Sequence, residues 1–305
     1  MKKIFISIIN YNNRKDTLAC LESINSLKIE DINLEVVLVD NNSKERLGIE
    51  NGQFKNINLN LIFSEKNLGF SGGHNLGIKH ALSKDADYVI VLNNDVILDI
   101  NLIDQLVKTA EREDVGIVSP KIYFAKGFEF HKDKYKKEEL GKVIWYAGGE
   151  MDWNNLIGKH KGVDKVDKGQ FDEEIETDFS SGCCMLIKKE VFEKVGLFDE
   201  KYFLYYEDND FSQRAKKKRF KIIYNPKAIL WHKNAGSVGG SGSDIQDYFI
   251  TRNRLLFGFK YASLKTKAAL FRESLRLLSS GRTWQKIGVR DFYLRRFGKG
   301  SYNLN

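Results

Sequence analysis

Tyr88-Val89-Ile90-Val91-Leu92-Asn93-Asn94-Asp95 is an apolar run that stops in two amides and a carboxylate. The apolar part suits a strand buried on both faces, as in a parallel sheet covered by helices. The polar stop then falls at the strand's C-terminal end, where open α/β sheets bind ligands. Asn and Asp oxygens suit a hard cation such as Mg2+ or Mn2+, which can in turn hold phosphates. The same residues also suit a strand followed by an Asx turn, and taken alone they fit that plainer use better.

The chain on both sides follows the same grammar. Residues 3–9 read as a strand ending in Asn10-Tyr11-Asn12-Asn13, and residues 14–27 as a helix with Leu18, Leu21 and Ile24 at helical spacing. Residues 35–39 are a second strand, ending in Asp40-Asn41-Asn42-Ser43, and residues 59–63 a third. The stretch from Asn67 to Asn75 reads as a glycine-rich loop that opens a helix running to Ser83. After Asp95 come a helix at 100–111 and a strand at 115–119 that stops before Pro120. Alternating strands and helices with short links predict an α/β fold, mostly parallel, with right-handed crossovers.

Residues 121–178 read as irregular hairpins and loops, with a short strand at 145–149. A buried strand at 180–187 and a helix at 188–195 stopped by Gly196 follow. A helix at 208–220 precedes two short strands, 221–224 and 228–231, on either side of Asn225-Pro226. Helices at 244–259, 264–278 and 283–297 close the chain.

Composition narrows the classes. With 305 residues, 42% hydrophobic and 30% charged, the chain has the content of a soluble globular protein. Cys20, Cys183 and Cys184 make neither a disulfide framework nor a zinc motif, which fits a cytoplasmic setting. The apolar run 4–9 is shorter than a signal-peptide core, and no apolar stretch approaches the ~20 residues of a membrane span. The net charge of +8 is uneven: residues 260–305 carry 11 Lys/Arg against 2 Asp/Glu, so the remainder is near neutral. A basic tail of this kind signals a polyanion or an anionic membrane surface. Leu264, Leu270, Phe271, Leu275, Leu277 and Leu278 lie there among Lys265, Lys267, Arg272 and Arg276, a basic amphipathic pattern. It suits either peripheral membrane contact or a helix packed on protein. Nucleic acid is disfavoured, because the tail has no binding motif and only sparse aromatic residues.

Several side chains could carry chemistry. The glycine stretch 69–77 precedes or opens a helix, as phosphate sites do, yet it also suits tight turns and close helix–sheet packing. It is not a dinucleotide fingerprint, since the link after the first strand has no glycine, and the Walker pattern is absent. Asp40 could read a base or ribose as an acceptor, or cap a turn. Tyr205-Tyr206-Glu207-Asp208-Asn209-Asp210 places carboxylates beside aromatic residues, where a raised pKa would suit a general base. Acids there also complement a helix dipole. His232 ends a strand and could be a metal ligand. No Ser/His/Asp or Cys/His nucleophile pattern stands out.

Taken in order, these pieces resemble glycosyltransferase family 2, in particular its rhamnosyltransferase-like branch. The matching stretches are Ser7 to Asn12, Val37 to Ser43, Asn67 to Gly77, Leu92 to Val96, Ser181 to Leu186, Phe198-Asp199-Glu200 to Arg214, Trp231-His232 and Arg252-Asn253-Arg254. The resemblance implies a GT-A fold over residues 1–259, with a nucleotide-binding half at 1–120 and an acceptor half at 121–259, then a basic helical tail at 260–305. It implies an inverting transferase that moves a sugar from a nucleotide-diphosphate donor (dTDP-rhamnose or a UDP-hexose) to a glycan or polyprenyl-linked hydroxyl. By analogy Asp208 is the base, and Asn10, Asn12, Asp40, Asn67, Gly73 and Asn94 line the nucleotide pocket. Asp95, with His232 and Asn93, would hold Mg2+ or Mn2+. Gly182 and Glu207 would lie near the sugars. The competing expectation is a non-catalytic nucleotide-sugar binder on the same fold.

Overall fold

A computed structural model describes residues 1–27, 32–49, 53–234 and 242–302. In chain order the first half runs β1 (Lys2–Asn10), α1 (Arg14–Asn25), β2 (Ile32–Asp40), β3 (Asn58–Phe63), α2 (Gly69–Ser83), β4 (Tyr88–Leu92), β5 (Val96–Leu98), α3 (Leu102–Ala110) and β6 (Val115–Phe124). Then come β7 (Ile144–Tyr146), β8 (Gly149–Asp152), β9 (Ile157–His160), β10 (Ile175–Glu176), β11 (Cys184–Lys188), α4 (Lys189–Val195), α5 (Glu207–Lys217) and β12 (Lys221–His232). Three helices follow: α6 (Asp244–Tyr261), α7 (Leu264–Ser280) and α8 (Thr283–Tyr293).

Strand β4 is buried at every position, as its unbroken apolar run requires. It sits inside one mixed sheet of order β10-β12-β6-β11-β4-β1-β2-β3, with β5 added on β12 and β7 on β6. The β3-β2-β1-β4 half is parallel throughout. Beyond it β11 runs antiparallel between β4 and β6. Side chains alternate between two cores. Ile4, Ile6, Ile8, Ile90 and Leu92 pack with α1 and α3, while Phe5, Val37, Val89 and Val91 pack with α2, α4 and α5. Burying each such side chain stabilises the fold by about 1.5–3 kcal/mol before entropy is counted.

Three expectations need correcting. The glycine stretch is not a loop: the helix already begins at Gly69, so Gly72, Gly73 and Gly77 lie within α2. A Cβ at Gly77 would stand 2.2 Å from Ser7 Oγ, and one at Gly73 would stand 2.7 Å from Ile9 Cδ1. The glycines therefore let α2 lie against β1. Second, β6 continues through Pro120. Third, the two short strands around Pro226 are one strand, β12. The two prolines share one cause. Pro120 faces Asn225 where the β12 ladder breaks register between Asn225 and Ile229. Each proline thus sits where a ladder N–H is dispensable.

The C-terminal helices pack on the segment that precedes α5. Tyr202, Tyr206, Leu255, Phe257, Leu270 and Val289 form one buried cluster. No helix among the described residues is long and apolar enough to cross a membrane.

Candidate active site

The polar ends of the parallel strands are brought side by side by register. Asn10 pairs with Asp40 across β1 and β2, and Ile8 with Leu92 across β1 and β4. A hydrogen-bond chain then ties them together. Asn94 Nδ2 donates to Thr17 Oγ1 (2.7 Å), Thr17 Oγ1 reaches Asn10 Oδ1 (2.9 Å), and Asn10 Nδ2 donates to Asp40 Oδ2 (3.0 Å) and Ser43 Oγ (2.9 Å). The Ser43 backbone N–H donates to Asp40 Oδ1 at 2.8 Å. Asn12, left-handed at φ 52°, accepts from the Lys44 N–H.

A cleft of about 1200 Å3 opens beside this edge. Asn67, Asn93, Asn94, Asp95, Gly182, Glu207, Asp208 and His232 all line it. Asn10, Asn12, Asp40 and Gly73 do not. Asp40 instead lines a smaller pocket of about 170 Å3 with Arg46 and Phe63, and Gly73 lies buried within α2.

At one wall, β12 pairs with β5 so that His232 lies opposite Val96. This sets His232 Nε2 3.1 Å from Asp95 Oδ1, a contact across 137 residues. Both groups are buried. His232 Nδ1 has no hydrogen-bond partner. A buried carboxylate oxygen and a buried imidazole nitrogen turned toward each other at the cleft are a donor pair that fits a divalent cation of the Mn2+ or Mg2+ class. No cluster of three or more His, Cys, Asp or Glu side chains suited to a metal occurs among the described residues. A cation here would need further oxygens, from the Asn93 amide in the same lining and from a diphosphate or water.

At another wall, α5 begins with Glu207 and Asp208. Asp208 Oδ2 accepts from the Gly182 N–H (3.1 Å), and Oδ1 accepts from Asn209 N (2.7 Å) and Nδ2 (2.9 Å). Burial raises the Asp208 pKa despite those donors. Burial, aided by the Asp208 charge, pushes Glu207 well above the usual carboxylate range. Glu207 Oε2 has no partner. Asp210, the third acid, is structural: Arg214, Lys260 and Tyr261 bond it, and the two cations hold its pKa down against burial.

Sequence reasoning misses some of the lining residues. Asn41 Nδ2 donates to Asn67 Oδ1 and Gly69 O, both at 3.1 Å, tying the 67–69 turn to β2. Its place in a second Asn-rich strand end is a usable signal. His160 has no partner at ligand spacing in the sequence, but the β8–β9 hairpin carries it onto Trp145, 4.4 Å between ring centroids. Trp145 in turn packs edge-on against His232. Burial lowers the His160 pKa to about 4, so its ring is neutral near pH 7. Cys183 and Cys184 are both buried, and Cys183 also lines the cleft.

Comparison with known proteins is consistent with this geometry. Residues 5–196 match the family described as Glycosyl transferase family 2. The low-salt glycan biosynthesis hexosyltransferase Agl10 of Haloferax volcanii is 27% identical over 252 residues, spanning 82% of this chain and 74% of that protein. The N-acetylglucosaminyl-diphospho-decaprenol L-rhamnosyltransferase of Mycobacterium tuberculosis is 28% identical over 191 residues, 60% of this chain and 61% of the relative. The dTDP-rhamnosyl transferase RfbF of Shigella flexneri is 26% identical over 214 residues, 70% of this chain and 62% of the relative. Among solved structures, GalNAc-T7 with UDP, GalNAc and Mn2+ superposes with a TM-score of 0.62 at 16% identity, covering 100% of this chain and 58% of that one. S. aureus TarS 1-349 in complex with UDP gives 0.54 at 16% identity, covering 100% and 76%. These two share the fold. The family match spans more than half of the sequence, and the named relatives are hexosyl- and rhamnosyltransferases. The chain belongs to glycosyltransferase family 2.

Proposed function

We propose that the chain is an inverting, metal-dependent transferase that moves a hexose, rhamnose from dTDP-rhamnose or a sugar from a UDP-hexose, onto a hydroxyl of a glycan or polyprenyl-linked acceptor. One observation carries this reading: the Asp95–His232 pair and the buried Asp208 line the same cleft. Asp95 and His232, with Asn93 beside them, would hold Mg2+ or Mn2+. A cation bound there supplies charge neutralisation for the departing nucleoside diphosphate. Asp40, which accepts from Asn10 and lines the smaller pocket, would receive the base there, with Asn10 and Asn12 at the adjoining strand end. Asn67 and Asn94, which line the cleft, would lie beside the phosphates and ribose. Asp208 takes the proton from the acceptor hydroxyl, whose oxygen bonds to the anomeric carbon as the bond to the diphosphate breaks. A raised pKa suits this work, because a base is most effective when its pKa lies near the working pH. One displacement by one base inverts the anomeric centre. Glu207, whose carboxyl pKa is pushed up by burial, lines the cleft beside Asp208 and would lie near the sugars.

The relatives' names support the donor and acceptor classes. Helix α7 supports a membrane-surface acceptor. Its Leu264, Phe271, Leu275 and Leu278 are exposed at one-face spacing beside exposed Lys265, Arg272 and Arg276. An adjoining face, through Leu270, Ser274 and Leu277, lines the cleft. An apolar face rimmed with cations suits an anionic bilayer at the cytoplasmic side. The deciding test is nucleotide release from dTDP-rhamnose, UDP-galactose and UDP-glucose, with Mn2+ and with a chelator. Release from one donor that stops on chelation is expected, with NMR showing the inverted anomer in the transfer product. A retained anomer, or release indifferent to chelator, would overturn the mechanism.

A further inference from the structure

Residues 201–206 deliver Glu207 and Asp208 to the cleft, and their backbone is unusual. Phe203, Tyr205 and Tyr206 are left-handed, with φ of 62°, 68° and 71°. Bulky residues avoid that region, so the surrounding structure must impose it. Two adjacent side chains of α6 do so. Asn253 Nδ2 donates to the carbonyls of Tyr202 (2.8 Å), Leu204 (2.7 Å) and Tyr205 (2.9 Å). Arg252 Nη2 donates to the carbonyls of Lys201 (3.1 Å) and Tyr202 (3.0 Å), while Nη1 reaches Gly298 O at 2.7 Å. Both residues are fully buried. From the other side, the Phe70 N–H in the first turn of α2 donates to Phe203 O at 2.7 Å. Gly69 makes that approach possible, since a Cβ there would lie 2.3 Å from the same oxygen.

We infer that Arg252 and Asn253 are positioning residues for transfer: they hold segment 201–206 in the strained form that aims Asp208 into the cleft. The inference rests on Asp208 being the base. A fully buried guanidinium and amide aimed at the carbonyls of one short segment exceed what helix packing needs. Arg252 also ties the turn at Gly298 to that segment, so the end of the chain helps to set the site.

The test uses the full chain, with whichever of dTDP-rhamnose, UDP-galactose and UDP-glucose releases its nucleotide fastest in Mn2+. Asn253→Ala should lower kcat for release at least tenfold, since a misplacement of about 1 Å can cost about a hundredfold. Binding of the matching nucleoside diphosphate with Mn2+ should stay within about threefold, because Asp95 and His232 stand on other elements. Arg252→Lys, a milder change, should show the same split between kcat and binding if Asn253→Ala folds poorly. Arg282→Ala is the control: it unties α8 from Asp247 on α6 without touching the segment, and should lower the melting temperature while sparing kcat. Wild-type kcat in folded Asn253→Ala or Arg252→Lys, or a loss no greater than Arg282→Ala gives at equal destabilisation, overturns the positioning role. Asp208→Asn in the same series separates the two readings. If Asp208→Asn is slow and Asn253→Ala is normal, only the positioning role falls. If Asp208→Asn is normal, the base assignment falls, and the positioning role with it.

Discussion

Asp208→Asn should slow transfer about 10²- to 10⁴-fold, the usual worth of a general base, or roughly 2.7–5.4 kcal/mol of barrier at 1.36 kcal/mol per decade. The structure indicates what else the change does. An amide in place of the carboxylate keeps its oxygen on Asn209 N and Nδ2, where Asp208 now accepts both bonds. Its NH2 group then faces the Gly182 N–H, donor against donor, and that bond is lost. The loss costs about 1 kcal/mol. Against it stands the removal of a buried charge. Burial raises the Asp208 pKa in the folded chain. The stability linked to its protonation is therefore complete below the ordinary carboxylate pKa and is lost as pH rises through the raised value. The substituted amide never ionises, so the variant should gain stability relative to wild type as pH climbs above about 4. Slower chemistry with equal or higher melting temperature near neutrality is the signature of a group placed for function at a cost in stability. Initial rates of nucleotide release, with melting curves from pH 4 to 8, measure both. Turnover within threefold of wild type would refute the base assignment. A melting difference that shrinks with rising pH would refute the electrostatic argument.

Other expectations follow from the same geometry. Asp95→Ala should weaken Mn2+-dependent binding of dTDP or UDP by about tenfold or more in calorimetry, and an unchanged metal dependence would count against Asp95 as a ligand. Gly77→Ala drives a methyl to 2.2 Å from Ser7 Oγ, which hydrogen-bonds His74 Nδ1 at 3.0 Å. Overpacking at about 1–3 kcal/mol outweighs the gain of about 1 kcal/mol in helix propensity, so the urea midpoint should fall, and a rise would show that α2 has room. Phe271→Asp with Leu275→Asp should abolish flotation on anionic vesicles at low salt while sparing nucleotide release. The membrane reading ends if the unaltered chain fails to float under those conditions.

The centre of the sheet was legible because β1, β2 and β4 are buried on both faces. The β1, β2 and β4 runs have no competing pattern, and β4 matches its expected span, Tyr88–Leu92, residue for residue. Legibility failed where a local rule met a tertiary exception. Pro120 and Pro226 read as strand breakers, yet one irregularity in the β6–β12 ladder absorbs both. The glycines of α2 read as a loop, since nothing local reveals that Ser7 and Ile9 lie under them. His160 was invisible for a similar reason: its partner Trp145 arrives through the fold of residues 140–160.

Within the site, chemistry-bearing residues could be picked out singly, but what joins them could not. Asn94, Asn10 and Asp40 each fit an ordinary turn, and each drew attention only as a polar stop after a strand. Thr17 drew none. It is fully buried on α1 beside Cys20 and Leu21, at a spacing that counts it as core. Yet its hydroxyl accepts from Asn94 and reaches Asn10, which bonds Asp40. A β-branched residue suits this place, because its stiff χ1 fixes the oxygen between two strand ends. The proposed metal end and base end of the donor site are thus joined by side-chain hydrogen bonds through a helix residue, not only by the sheet. Asp95 follows Asn94 directly, so the geometry around β4 depends on what β1 and β2 do at their ends. That dependence makes the opening stretch a different object from the Asx turn it resembles in isolation. An Asx turn would satisfy its own amides locally, whereas Asn94 donates to a residue 77 positions away and Asp95 meets His232 across the β5–β12 pair.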